Sequence, residues 1–139
     1  MPNKVAEVMS ATPCTLDSDA TVVEAARLMR DDDIGDVIVC RDGHIRGIVT
    51  DRDIVVRGIA EGRPPEQLRL KDICSDDITT VSPNTPIADA VRMMREKAVR
   101  RLPVVEGDRP VGVISIGDLA MERDPSSALA DISAAAGNT

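Results

Sequence analysis

Apolar residues recur at spacings of three and four at Val22, Ala25, Ala26 and Met29, and again at Ile87, Val91 and Met94. That period buries one face of a helix, and it predicts helices over residues 22–32 and 86–97. Thr21-x-x-Glu24 reads as a capping box at the first start. Thr85 followed by Pro86 reads as a cap with proline at the first helical position. Short β-rich runs surround these helices. Thr15-Leu16 and residues 79–81 predict one brief strand each, and residues 36–40, 45–50, 102–105 and 111–115 predict four more. Asp42-Gly43 is a tight-hairpin signal, and Glu106 to Pro110 joins the second pair. A further helix starts at Asp51 and another at Ile116.

The pattern is written twice. Shifted by 65, the chain aligns with itself without a gap from Val8 to Arg57. Ser10 falls on Ser75, Thr15 on Thr80, Ala25 on Ala90, Met29-Arg30 on Met94-Arg95, Gly47 on Gly112 and Asp53 on Asp118. Each copy reads β-α-β-β-α. The expected fold class is α/β (α+β), two such motifs packed into one pseudo-twofold module. The expected division is residues 1–65 for the first motif with its linker, 66–123 for the second, and 124–139 for a flexible or weakly helical tail. The stretch from Gly58 to Arg69, with Gly62, Pro64 and Pro65, reads as the linker.

Composition narrows the functions. The 139 residues are 42% apolar but contain no Phe, Tyr or Trp, so the core is aliphatic and no base can stack on an aromatic ring. The formal charge of −7 opposes a phosphate-backbone reader. No apolar run approaches the roughly 20 residues that span a bilayer, and the first residues lack a signal-peptide core. A cytoplasmic protein that binds neither nucleic acid nor membrane is expected. Cys14, Cys40 and Cys74 are far apart and His44 is the single histidine, which fits no zinc pattern and no Cys–His catalytic pair. They read as small buried or half-buried residues, with Cys14 a candidate exposed thiol.

The chemistry sits in Gly47-Ile48-Val49-Thr50-Asp51-Arg52-Asp53 and its repeat, Gly112-Val113-Ile114-Ser115-Ile116-Gly117-Asp118. In each, a strand leaves a glycine, ends on a hydroxyl residue and turns into a helix. The first helical N–H groups have no partners within the helix and favour a phosphate. The hydroxyl of Thr50 or Ser115 can add a hydrogen bond, and Asp53 or Asp118 can accept from the two hydroxyls of a ribose. Gly47 and Gly112 remove a side chain where a ligand or backbone must come close. The plainer alternative is that Thr50-x-x-Asp53 and Ser115-x-x-Asp118 are capping boxes and no more.

With these motifs and Arg101-Leu102-Pro103-Val104-Val105, the chain resembles the cystathionine-β-synthase (CBS) domain family over nearly all of residues 4–123. The resemblance implies a disc-shaped pair of motifs with clefts for AMP, ADP, ATP or S-adenosylmethionine, and no required cofactor. By position it implies Thr50 and Asp53 for one site and Ser115 and Asp118 for the other. Thr15 and Thr80 would flank the base, with Arg101 and Pro103 at the strand entry. Arg100, Arg101 and Arg52 are candidate phosphate contacts, although solvated helix ends are the favoured explanation of the charge runs. The resemblance also implies a homodimer through helical faces, with Ile54, Val55, Ile59, Leu119 and Met121 as the available apolar residues.

Two functions follow. One is a non-catalytic sensor that binds an adenosine-containing molecule and regulates an unidentified protein in trans. The other is a structural protein–protein interaction module with empty clefts. No base–nucleophile pair or metal cluster can be assembled from the spacing, so an enzyme is not expected.

Overall fold

The computed structural model describes residues 3–11, 13–75 and 78–123, with backbone alone for 121–123. The expected tail at 124–139 lies outside the described residues. The chain forms two compact units. One runs from Cys14 to Ile78; the other combines the segment before Cys14 with the segment from Thr79 onward.

The Cys14–Ile78 unit contains β1 (Thr15–Asp17), α1 (Val22–Asp32), β2 (Asp36–Arg41), β3 (His44–Thr50), α2 (Asp51–Asp53) and α3 (Leu70–Ile73). β2 pairs antiparallel with β3, and β1 runs parallel along the other edge of β2. The hairpin turns through Asp42 and Gly43, both at positive φ, as the Asp-Gly pair predicts. Thr21 caps α1 by accepting from the Glu24 N–H at 3.3 Å. α2 widens into a π-helical turn at Ile54–Ile59. A short 3-10 turn at Pro65–Gln67 then leads to α3. The expected linker is exposed over residues 59–64 and is fastened at its ends: Gly58 and Leu68 are buried, and the Arg69 guanidinium donates to the Asp19 carbonyl at 2.7 Å. Val22, Ala25, Val37, Val39, Val49, Leu68, Leu70 and Ile73 form the core.

The other unit contains a 3-10 turn at Val5–Glu7, α4 (Ile87–Lys97), β4 (Arg101–Glu106), β5 (Arg109–Ser115) and α5 (Ile116–Arg123). β4 and β5 pair antiparallel. The strand expected over residues 79–81 reduces to one parallel bridge, Val81 to Val104. The α4 start also differs from expectation. Pro86 itself is the cap, in extended conformation, while the Thr85 hydroxyl accepts from the Ser82 N–H at 2.9 Å. Having no N–H, Pro86 loses nothing at that boundary. Val5, Val81, Ala90, Met94, Leu102, Val104, Ile114 and Leu119 form this core.

The compact units are not the two repeats as written. The segment leading each repeat packs with the other repeat's strands and helix. Ser10 bridges to Val113, and Ser75 bridges to Ile48. The exchange is matched bond for bond. The Val5 N–H donates to the Thr85 carbonyl at 2.9 Å and the Leu70 N–H to the Ala20 carbonyl at 2.9 Å. The Ile87 N–H donates to the Asn3 carbonyl at 2.8 Å and the Val22 N–H to the Leu68 carbonyl at 3.0 Å. Val5 and Leu70 are both fully buried. Each leading segment thus satisfies the first-turn N–H of the helix it joins, which that helix cannot do for itself.

Candidate functional site: the two strand-to-helix corners

β3 ends at Thr50 and β5 at Ser115, each in extended conformation or at the last paired position, and a helix begins at the next residue. Both capping boxes form. The Asp53 N–H donates to the Thr50 hydroxyl at 3.0 Å, and the Thr50 N–H donates to Asp53 Oδ2 at 2.9 Å. The Asp118 N–H donates to the Ser115 hydroxyl at 3.1 Å, and the Ser115 N–H donates to Asp118 Oδ2 at 2.9 Å. Capping therefore fixes these four side chains in known orientations, all half-buried. A capped carboxylate still has an Oδ1 to offer, and a hydroxyl that accepts from an N–H can still donate.

The expectation that the first helical N–H groups wait for a phosphate needs correction. The Asp51 N–H donates to the Gly35 carbonyl at 3.0 Å and the Ile116 N–H to the Arg100 carbonyl at 2.8 Å. The third N–H of each helix is held by the cap. The second decides the matter, and there the copies part. The Arg52 N–H donates to Asp51 Oδ1 at 2.8 Å. Its counterpart is the N–H of Gly117, preceded by Ile116, which carries no acceptor.

The two glycines serve the exchanged segments. The Ser75 carbonyl and Cys74 sulfur crowd the space beside Gly47, and the Ser10 carbonyl stands 2.6 Å from where a Gly112 Cβ would be. Of the two uses open to them, close approach of backbone is the one the structure realises.

Strand pairing sets the local charge. Asp36 lies directly across from Thr50, whereas Arg101 lies across from Ser115. Arg100 adjoins the second corner through its carbonyl. Near the first corner, the Cys14 thiol is pushed above its ordinary value by burial, by its hydrogen bond to Asp32 and by the charges of Asp32 and Asp36. Thr15 is exposed at the start of β1, paired with Ile38. Thr80 is half-buried beside the Val81 bridge. Arg52 is exposed. Pro103 is fully buried in β4, its carbonyl accepting from the Val81 N–H at 3.0 Å, so its side chain serves the core. Sequence reasoning passed over Arg57. Its Nη1 donates to the Ile73 carbonyl at 3.1 Å and its Nε lies 3.9 Å from Asp53 Oδ1. The i,i+4 spacing from Asp53 was its signal. Among the described residues no group of three or more His, Cys, Asp or Glu could hold a metal ion.

Two copies of an α-β-β-α unit, each with a hydroxyl–carboxylate corner, define a tandem-motif fold. The chain belongs to the CBS domain family, whose sequence profile matches residues 5–58 and 70–124. It is 33% identical over 135 residues to the CBS domain-containing protein YhcV of Bacillus subtilis, covering 94% of this chain and 96% of that one. Hypoxic Response Protein I, solved with two coordinated zinc ions, matches with a TM-score of 0.79 at 33% identity, over 88% of this chain and 99% of that one. The hexameric CBS-CP12 protein from bloom-forming cyanobacteria matches with a TM-score of 0.75 at 29% identity, over 89% and 74%. No helix among the described residues is long and apolar enough to cross a membrane.

Proposed function

We propose that the protein is a non-catalytic cytoplasmic sensor that binds an adenine nucleotide or related adenosyl ligand and passes the signal to a protein partner. The observation that carries this reading is the Ser115–Asp118 corner. A half-buried hydroxyl and a carboxylate whose cap bond uses Oδ2 offer acceptors for ribose, and Arg100 and Arg101 place positive charge beside the corner for a phosphate. Aliphatic side chains would hold the base, since the chain has no aromatic residue.

A homodimer completes the proposal. Of the residues expected to build it, Ile54 and Leu119 are buried in their own cores, and the Met121 side chain lies outside the described set. Val55, Val56 and Ile59 remain exposed together on the π-helical turn, and they are the surface offered to a second copy. Light scattering tests this: the 14.8 kDa monomer mass at micromolar concentration would exclude the dimer.

The test of ligand binding is thermal denaturation with AMP, ATP and S-adenosylmethionine. A ligand specific for the folded state adds about 2.7 kcal/mol at a hundredfold excess over Kd. No shift with any of the three would leave the empty interaction module as the better reading.

A further inference from the structure

We propose that the first corner is closed by its own side chains, Asp51 and Arg57, so that the second corner alone takes the phosphorylated ligand. The inference rests on the nucleotide reading above and adds which copy works and why.

The two corners share their capping geometry but differ in what surrounds it. In the first, Asp51 Oδ1 accepts from the Arg52 N–H at 2.8 Å, which uses the N–H a phosphate would need and sets a negative charge in its place. Asp36 adds a second carboxylate across the strand pair. Asp53 Oδ1, the oxygen left over by the cap, faces the Arg57 guanidinium at 3.9 Å. Arg57 is held there because its Nη1 is anchored to the Ile73 carbonyl at 3.1 Å. A ribose would compete with this cation for Asp53 Oδ1, and its phosphate would meet the Asp51 carboxylate at the N–H it needs.

Among the described residues the second corner shows neither of these side-chain contacts. Position 116 is Ile, about half exposed, so the Gly117 N–H has no carboxylate beside it in the sequence. Position 122, the counterpart of Arg57, is Glu, so the i+4 position from Asp118 carries an anion where the first corner carries a cation. Arg101 stands where the first corner has Asp36. The repeat has thus kept one capping scaffold in two different surroundings.

The test is calorimetric titration with AMP, with melting curves establishing that each variant is folded. Wild type is expected to bind one AMP per chain, and Asp118→Ala to abolish it. Asp53→Ala is expected to leave it within about threefold, since no ligand contact is lost. The double variant Asp51→Ala with Arg57→Gln is expected to bind two. The reciprocal variant, Ile116→Asp with Glu122→Arg, is expected to weaken binding at least tenfold, the scale of one lost charge-assisted hydrogen bond, and it decides the matter if the first double variant does not fold. Two AMP per chain in wild type, or one that depends on Asp53, would overturn the closure while leaving the nucleotide reading intact. One AMP per chain in both wild type and the opened variant would overturn it as well. No AMP, ATP or S-adenosylmethionine bound by any variant would sink both.

Discussion

The backbone carbonyl of Ser75 occupies the space that a Cβ on Gly47 would require. Ser75 and Ile48 bridge across the same point, with the Ser75 N–H donating to the Ile48 carbonyl at 3.0 Å. The glycine is thus set by the approach of the exchanged segment. Gly47→Ala should destabilise the protein by about 1–3 kcal/mol, as overpacking does when backbone must yield. Gly112→Ala should cost less, because two of the three atoms it meets belong to the flexible Met9 side chain. Urea denaturation of both variants checks the order; a wild-type midpoint for Gly47→Ala would contradict the placement of Ser75.

The caps give a separable prediction. Thr50→Ala and Ser115→Ala should each lose about 1 kcal/mol of stability, the usual cost of an N-cap hydroxyl. AMP should raise the melting temperature of Thr50→Ala as it does that of the wild type, and should not raise that of Ser115→Ala, where the hydroxyl would also serve the ligand. Melting curves with and without AMP read both effects.

Segment exchange predicts where the chain can be cut. A fragment of residues 1–65 lacks Leu68, Leu70 and Ile73, which belong to the core of its own strands. It should be largely unfolded. A fragment of residues 14–78 keeps that core whole and should show more helix by circular dichroism. In the full chain, Leu70→Ala should cost about 2–5 kcal/mol, since Leu70 is fully buried. Equal helicity in the two fragments would refute the exchange.

The cysteines predict a pH profile. Cys14 is half-buried, and burial followed by Asp32 raises its pKa above the ordinary 9.0. The fold therefore favours the protonated thiol. That contribution is fully present below pH 9.0 and is lost as pH rises through the folded value. Labelling by a thiol reagent at pH 8 should be slower at Cys14 than for a free thiol, because the thiolate is the nucleophile. Asp32→Asn should speed it by removing a hydrogen bond and a charge that both oppose ionisation. Mass spectrometry of the labelled peptide measures the rate, and no change in the variant would show that Asp32 does not act on Cys14.

Much of the fold was legible in local pattern. The period of three and four placed α1 and α4, Asp42-Gly43 placed the hairpin, and the ungapped repeat disclosed two copies of one motif. These signals survive in a linear reading because each depends on residues a few positions apart. The hydroxyl–carboxylate corners were legible for the same reason, as residues three apart at a helix start.

What the tertiary structure alone decided is partnership across distance. The exchange of leading segments joins residues far apart in the chain, and nothing in the pairing rules for one strand says which copy Ser10 or Ser75 will meet. The signal was present in apolar Val5 and Val8, which repeat as Leu70 and Ile73, but burial was needed to give it meaning. The use of the glycines and the anchoring of Arg57 on Ile73 both follow from that exchange. A carboxylate and an amide can be counted in a sequence. Whether they are already spent on each other is settled by the geometry of the folded backbone.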